Sequence, residues 1–188
     1  MYFCQDLTNL RSMLQEKLKR TIRDIQDYPK PGIIFKDITP LLAEPALIRE
    51  ISSALLEQLR GQRIDAVVGV EARGFIFGSI LAHELGSRFV PVRKAGRLPY
   101  QTRSQEYALE YGTATMEIHV DAIQPGWRVV VHDDLLATGG TAGAAADLVR
   151  SFNGEIAAFS FLVNLGFLPG EKMLTERFGV KPESLVTY

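Results

Sequence analysis

Leu7, Leu10, Leu14, Leu18, Ile22 and Ile25 recur at spacings of three and four, which predicts an amphipathic helix over residues 1–26. Pro29 and Pro31-Gly32 close it. Ile33 to Pro40 is an irregular apolar stretch ended by proline. Ile48, Ile51, Leu55 and Leu59 then form the stripe of a second helix over 45–60, with Pro45 in its first turn. Ala66-Val67-Val68-Gly69-Val70 is a continuous apolar run, the pattern of a strand buried on both faces. A helix is predicted from Gly74 to Leu85 and a strand over Phe89-Val90-Pro91-Val92. From Arg93 to Gln105 the chain turns basic and loses its period. Ala114, Met116, Ile118 and Val120 alternate with Thr113, Thr115, Glu117 and His119, which predicts a half-exposed strand. Residues 127–132 follow as a buried strand, 141–152 as a helix, 157–163 as a strand, and 169–178 as a short helix before an apolar tail.

Strands alternating with helices predict an α/β fold, a mostly parallel central sheet flanked by helices. No repeat, low-complexity run or linker interrupts the chain, so residues 1–188 read as one domain. Ligands of such sheets bind beyond the carboxyl ends of the strands. Glu71, Arg93 and Asp133 each fall just past a predicted strand end and are expected on one rim.

Composition narrows the classes. A net charge of −1 supplies no general attraction to nucleic acid or membrane, so anion binding must come from a local cluster. Cys4 is the only cysteine, which excludes an intramolecular disulfide and a cysteine-rich zinc site. No secretory signal and no long apolar span is evident, so a cytoplasmic protein is expected. His83 and His119 read as structural or solvent-facing.

The chemistry concentrates in VVVHDDLLATGGTAG, residues 129–143. A strand entering Thr138-Gly139-Gly140-Thr141 and then a helix presents free N–H groups at the positive end of a helix dipole, a cradle for phosphate. The plainer alternative is a tight turn with Thr141 as N-cap. Asp133 and Asp134 would repel a bare phosphate, but ionised carboxylates accept hydrogen bonds from vicinal sugar hydroxyls. A ribose 5-phosphate satisfies both halves. No nucleotide triphosphatase or dinucleotide glycine pattern lies here.

This segment resembles the signature of the type I phosphoribosyltransferases, and DDLLATGGT resembles their adenine-using members. PGIIFKDITPLL at 31–42, EARGFIFG at 71–78, VRKAGRLP at 92–99 and LEYG at 109–112 are similar to the same family, in the same order. The resemblance implies transfer of a phosphoribosyl group from phosphoribosyl pyrophosphate (PRPP) to adenine, giving AMP and pyrophosphate. It implies that Asp133 and Asp134 hold the ribose hydroxyls, and that Ala137, Thr138, Gly139, Gly140 and Thr141 hold the 5-phosphate. Glu71, Ala72 and Arg73 resemble the pyrophosphate loop, where a non-proline cis peptide is common, and Arg93, Lys94 and Arg97 resemble its basic partners. Lys94 is the preferred contact of those three. The resemblance places Phe35 and Leu135 against the faces of adenine, with backbone near Ile34 and Lys36 reading its edge. It makes residues 95–112 a flexible hood and puts Glu110 at the N7 edge of the base. Mg²⁺ is expected to be carried by PRPP and water, without direct protein ligands, and the family is usually homodimeric.

His132 departs from the pattern, where an apolar residue is usual, and its charge is expected to be able to switch near neutral pH. Two rivals remain at this level. One is a PRPP-sensing regulator of the same fold, disfavoured because about 26 residues precede the family region and none suggests DNA binding. The other is a xanthine or guanine phosphoribosyltransferase.

Overall fold

The N-terminal apolar stripe folds into helix α1, Tyr2–Thr21, with Leu18 buried and Ile22 buried just beyond its end. The computed structural model describes residues 2–108 and 112–188 and divides the chain into two units, Met1–Ala54 and Leu55–Tyr188. In the first, α1 stops earlier than the spacing predicts. Arg23–Ile25 forms strand β1 and pairs antiparallel with β2, Phe35–Asp37, bringing Ile25 opposite Phe35. Ile25 extends the helical spacing by coincidence; its partner across the ribbon decides its conformation. Asp37 then accepts the Thr39 amide at 2.9 Å, a turn that starts the short helix α2, Thr39–Leu42. Helix α3, Pro45–Gln58, begins at the expected proline. The buried hydrophobic residues of this segment are Leu47, Ile51, Leu55 and Leu59, so Leu47 takes the place predicted for Ile48.

The second unit is built on a seven-stranded sheet. Its elements are β3 (Ala66–Val70), α4 (Gly74–Glu84), β4 (Arg88–Lys94), β5 (Thr102–Ala108), β6 (Thr113–His119), β7 (Arg128–Leu136), α5 (Gly140–Ser151), β8 (Glu155–Asn164), α6 (Gly170–Phe178) and β9 (Glu183–Thr187). The strand order is β5-β6-β4-β3-β7-β8-β9. Strands β4, β3, β7, β8 and β9 run parallel, while β6 and β5 add antiparallel at one edge. All five residues of β3 are buried, as a strand covered on both faces requires. From β3 the chain steps one way to β4 and later the other way to β7 and β8. The crevice at the carboxyl ends of β3 and β7 is therefore the switch point where such sheets bind ligands.

One prediction fails in an informative way. Residues 102–108 are not an aperiodic loop but strand β5, paired with β6 from Thr102↔His119 to Ala108↔Thr113. An edge strand with polar side chains on both faces carries no hydrophobic alternation to read. The segment holding Glu110 lies outside the described residues.

Candidate functional site

Strand β7 runs through the acid pair and ends only at Leu136, so the acids lie within the strand rather than beyond it. Its pairing with β3 stops at Gly69↔His132, however, while β8 continues alongside as far as Asn164. Asp133 is therefore the first β7 residue freed on the β3 side, at the switch point. Arg93 likewise sits inside β4, and only Glu71 lies past its strand.

The following turn is open to an anion. Gly139 caps α5 in the left-handed region at φ 84°, which a residue with a Cβ rarely adopts, and no side chain caps the helix. The first intrahelical bond runs from Gly143 N to Gly139 O at 2.8 Å, which leaves the preceding amides of the first turn without intrahelical partners. Thr141, proposed by the plainer reading as the cap, sits inside the helix. Residues 133 and 135–142 line one pocket, so an acid, Leu135 and the loop 137–141 do come together.

The two acids are used differently. Asp133 is half-buried and lines that pocket, its Oδ1 accepting the Asp134 amide at 2.9 Å. Burial, then the charge of Asp134, pushes its carboxyl well above the ordinary carboxylate range. Asp134 is only 2% exposed, and Arg73 Nε lies 3.1 Å from its Oδ2 in an ion pair whose angle is poor for a hydrogen bond. Burial raises Asp134 as well, with Arg73 opposing.

Arg73 caps α4, and the Glu71-Ala72 peptide before it is cis, as the family pattern led us to expect. Glu71 turns its carboxylate to the basic segment instead of outward. It accepts Arg93 Nη2 at 2.8 Å, the Lys94 amide at 3.0 Å and Arg97 Nη1 at 3.3 Å. The Arg93 hydrogen bond chiefly holds Glu71 below its usual range. The Lys94 side chain is exposed. In the first unit, Phe35 is half-buried with Tyr28 edge-on at 5.2 Å, and Ile34 is exposed. Lys36 is buried, its Nζ 2.7 Å from Asp24 Oδ1, so only its backbone is available to a base edge.

Two glycines matter in ways the sequence did not signal. A Cβ on Gly74 would stand 2.8 Å from His132 O and 2.9 Å from Asp133 Oδ1, so only glycine lets α4 begin this close to the acid strand. A Cβ on Gly170 would stand 2.2 Å from Ala137 O, which places the start of α6 directly behind the 137–141 loop. In sequence, Pro169-Gly170 reads only as an ordinary helix start.

His132 is fully buried, opposite Ser160 on β8, with Nδ1 and Ser160 Oγ 3.2 Å apart and Nε2 without a partner. Burial lowers its pKa from 6.5 to about 3, which corrects the expected switch near neutral pH. Between those values the unfolded chain binds the proton and the folded one does not, so stability falls as pH drops below 6.5. At pH 5 the loss from this residue is about 2 kcal/mol. Denaturant midpoints measured from pH 7 to pH 5 should therefore fall more steeply in the wild type than in His132→Val. Parallel curves would refute the buried neutral imidazole.

A family model described as the phosphoribosyl transferase domain matches residues 36–173. The chain is 52% identical over 176 residues to the adenine phosphoribosyltransferase of Cytophaga hutchinsonii, covering 94% of this chain and 97% of that one. Its fold is similar to the crystal structure of the Rhodothermus marinus adenine phosphoribosyltransferase, with a TM-score of 0.89 and 50% identity over 94% of this chain and 99% of that one. It is also similar, at 26% identity and a TM-score of 0.84, to the Trypanosoma brucei adenine phosphoribosyl transferase solved with AMP, pyrophosphate and ribose-5-phosphate, covering 93% of this chain and 79% of that one.

Proposed function

Because the chain belongs to the adenine phosphoribosyltransferases, we propose that its β7–α5 turn and the loops beside it carry out that family's reaction with the residues assigned below. The enzyme serves purine salvage, transferring the 5-phosphoribosyl group of PRPP to adenine and releasing AMP and pyrophosphate. The observation that carries the site assignment is the single pocket holding Asp133, Leu135 and the uncapped start of α5.

The 5-phosphate takes the amides and hydroxyls of residues 137–141. Asp133 and Asp134 take the ribose hydroxyls; Asp133 is the open acceptor, and Asp134 is shared with Arg73. Arg73, the turned backbone of Glu71 and Ala72, and Lys94 receive the pyrophosphate, with Arg93 and Arg97 held near by Glu71. Leu135 and Phe35 each offer an apolar surface to adenine, and backbone groups at Ile34 and Lys36 read its edge. Attack of N9 at C1′ breaks the bond to pyrophosphate through an oxocarbenium-like state, which water would intercept unless excluded. To Glu110 we assign the proton arrangement at the N7 edge of the base.

Among the described residues no three or more His, Cys, Asp or Glu side chains gather as a metal cage. An open aspartate beside a phosphate cradle suits a hard cation that keeps mostly water and ligand oxygens. Mg²⁺ bound to PRPP would neutralise the leaving pyrophosphate, and Asp133 is the carboxylate best placed to order its water. No described helix is long and apolar enough to cross a membrane. A cytoplasmic homodimer is the proposed form.

Supplying Mg²⁺, PRPP and each of adenine, hypoxanthine, guanine and xanthine should give nucleotide and pyrophosphate with adenine alone, and chelating the metal should stop it. Pyrophosphate release with a 6-oxopurine would overturn the base assignment, and no pyrophosphate release with any of the four bases would favour a PRPP sensor.

A further inference from the structure

Strand β5 lies along α5, the helix whose first turn forms the phosphate loop. Near the C-terminal end of that helix, Arg103 donates to Ser151 O, and its guanidinium sits 4.0 Å from the centroid of the Phe152 ring. Four residues later, Tyr107 reaches the other end, where Thr141 Oγ1 donates to its hydroxyl at 3.4 Å. Four strand residues span about 13 Å, and the ten helical steps from Thr141 to Ser151 span about 15 Å. The strand is therefore pinned to the helix at both ends, and the half-buried Tyr107 ring packs against the hydrophobic core.

We propose that Tyr107 is a positioning residue of the 5-phosphate subsite, acting through Thr141. This rests on the assignment of residues 137–141 to the phosphate. A threonine hydroxyl has one proton and two acceptor lone pairs. With a phosphate dianion in the loop, that proton turns to the phosphate oxygen. Tyr107, which has a proton of its own, then donates to Thr141 Oγ1 and holds the hydroxyl on the phosphate. The same exchange ties β5 more firmly to the start of α5 when the phosphate is bound. A phenylalanine keeps the ring in the core but can neither accept from Thr141 nor donate to it.

The test compares wild type and Tyr107→Phe, each as the full chain, using ribose 5-phosphate as the probe. Calorimetry should show about threefold to tenfold weaker binding in the variant, the worth of one hydrogen bond. KM for PRPP should rise with it while KM for adenine stays unchanged. Hydrogen exchange gives a readout that simple loss of packing would not move. Saturating ribose 5-phosphate should slow exchange at residues 102–108 in wild type, and should do so less in the variant at equal saturation. If the loop amides at 138–141 are not protected in wild type, the phosphate assignment fails and this inference falls with it. If they are protected and Tyr107→Phe matches wild type in affinity and in β5 exchange, the inference alone is overturned.

Discussion

Gly170→Ala is expected to lower kcat/KM for PRPP about a hundredfold, the scale reached when a binding group is displaced by about 1 Å. Helix propensity argues for the opposite outcome, since alanine is favoured over glycine within a helix by about 0.5–1 kcal/mol. Contact decides. The new Cβ would meet Ala137 O at 2.2 Å, Leu136 Cδ1 at 2.9 Å and Ala137 C at 3.1 Å. Two of those three atoms are backbone and cannot rotate away, so either α6 retreats or the loop moves. Gly139, in the same loop, is packed on the start of α6 as well. It packs so closely on Gly170 and Met173 that its own Cβ would stand 3.2 Å and 2.6 Å from them. KM for PRPP should rise while the adenine dependence is spared. Unchanged PRPP kinetics would show that α6 does not set the loop.

Asp133→Asn should weaken the enzyme and strengthen the fold. Losing an ionised acceptor for the ribose hydroxyls removes charge-assisted hydrogen bonds of about 1.5–3 kcal/mol each, a tenfold to hundredfold fall in kcat/KM for PRPP. Stability moves the other way. Burial and Asp134 raise the folded-state pKa of Asp133 above its ordinary 3.8. Between those two values the folded state binds the proton more tightly than the unfolded state, so stability falls as pH rises through that window. An uncharged Asn at 133 removes this cost, and its melting temperature at pH 7 should exceed that of wild type. The gain should shrink as pH falls toward 4. A variant that is both inactive and less stable at pH 7 would mean that the acid pair is structural rather than held under strain for binding.

Elements with one strong period were legible in the sequence. Ala66–Val70 matches β3 residue for residue, and the helices after Gly74 and Pro45 start where predicted. What escaped depended on partners distant in the chain. Strand β5 is specified by its pairing with β6 and its anchors on α5, not by its own alternation. The β7–α5 loop was visible as Thr-Gly-Gly-Thr, but its support by Gly170 was not, because 28 residues separate them and neither segment carries a sign of the other. The adjacency of Asp133 and Asp134 suggested one shared task, yet Arg73 and burial give them different surroundings. His132 looked like a titrating group by residue type, and only its enclosure against Ser160 reveals a neutral one.

The most direct test of the site is to determine the structure with ribose 5-phosphate bound. The phosphate should lie against the amides of residues 138–141, with oxygen to nitrogen distances of roughly 3 Å. The ribose hydroxyls should donate to Asp133. A phosphate found instead on Arg73 and Lys94, with the β7–α5 turn untouched, would contradict the reading of that turn as a sugar-phosphate site.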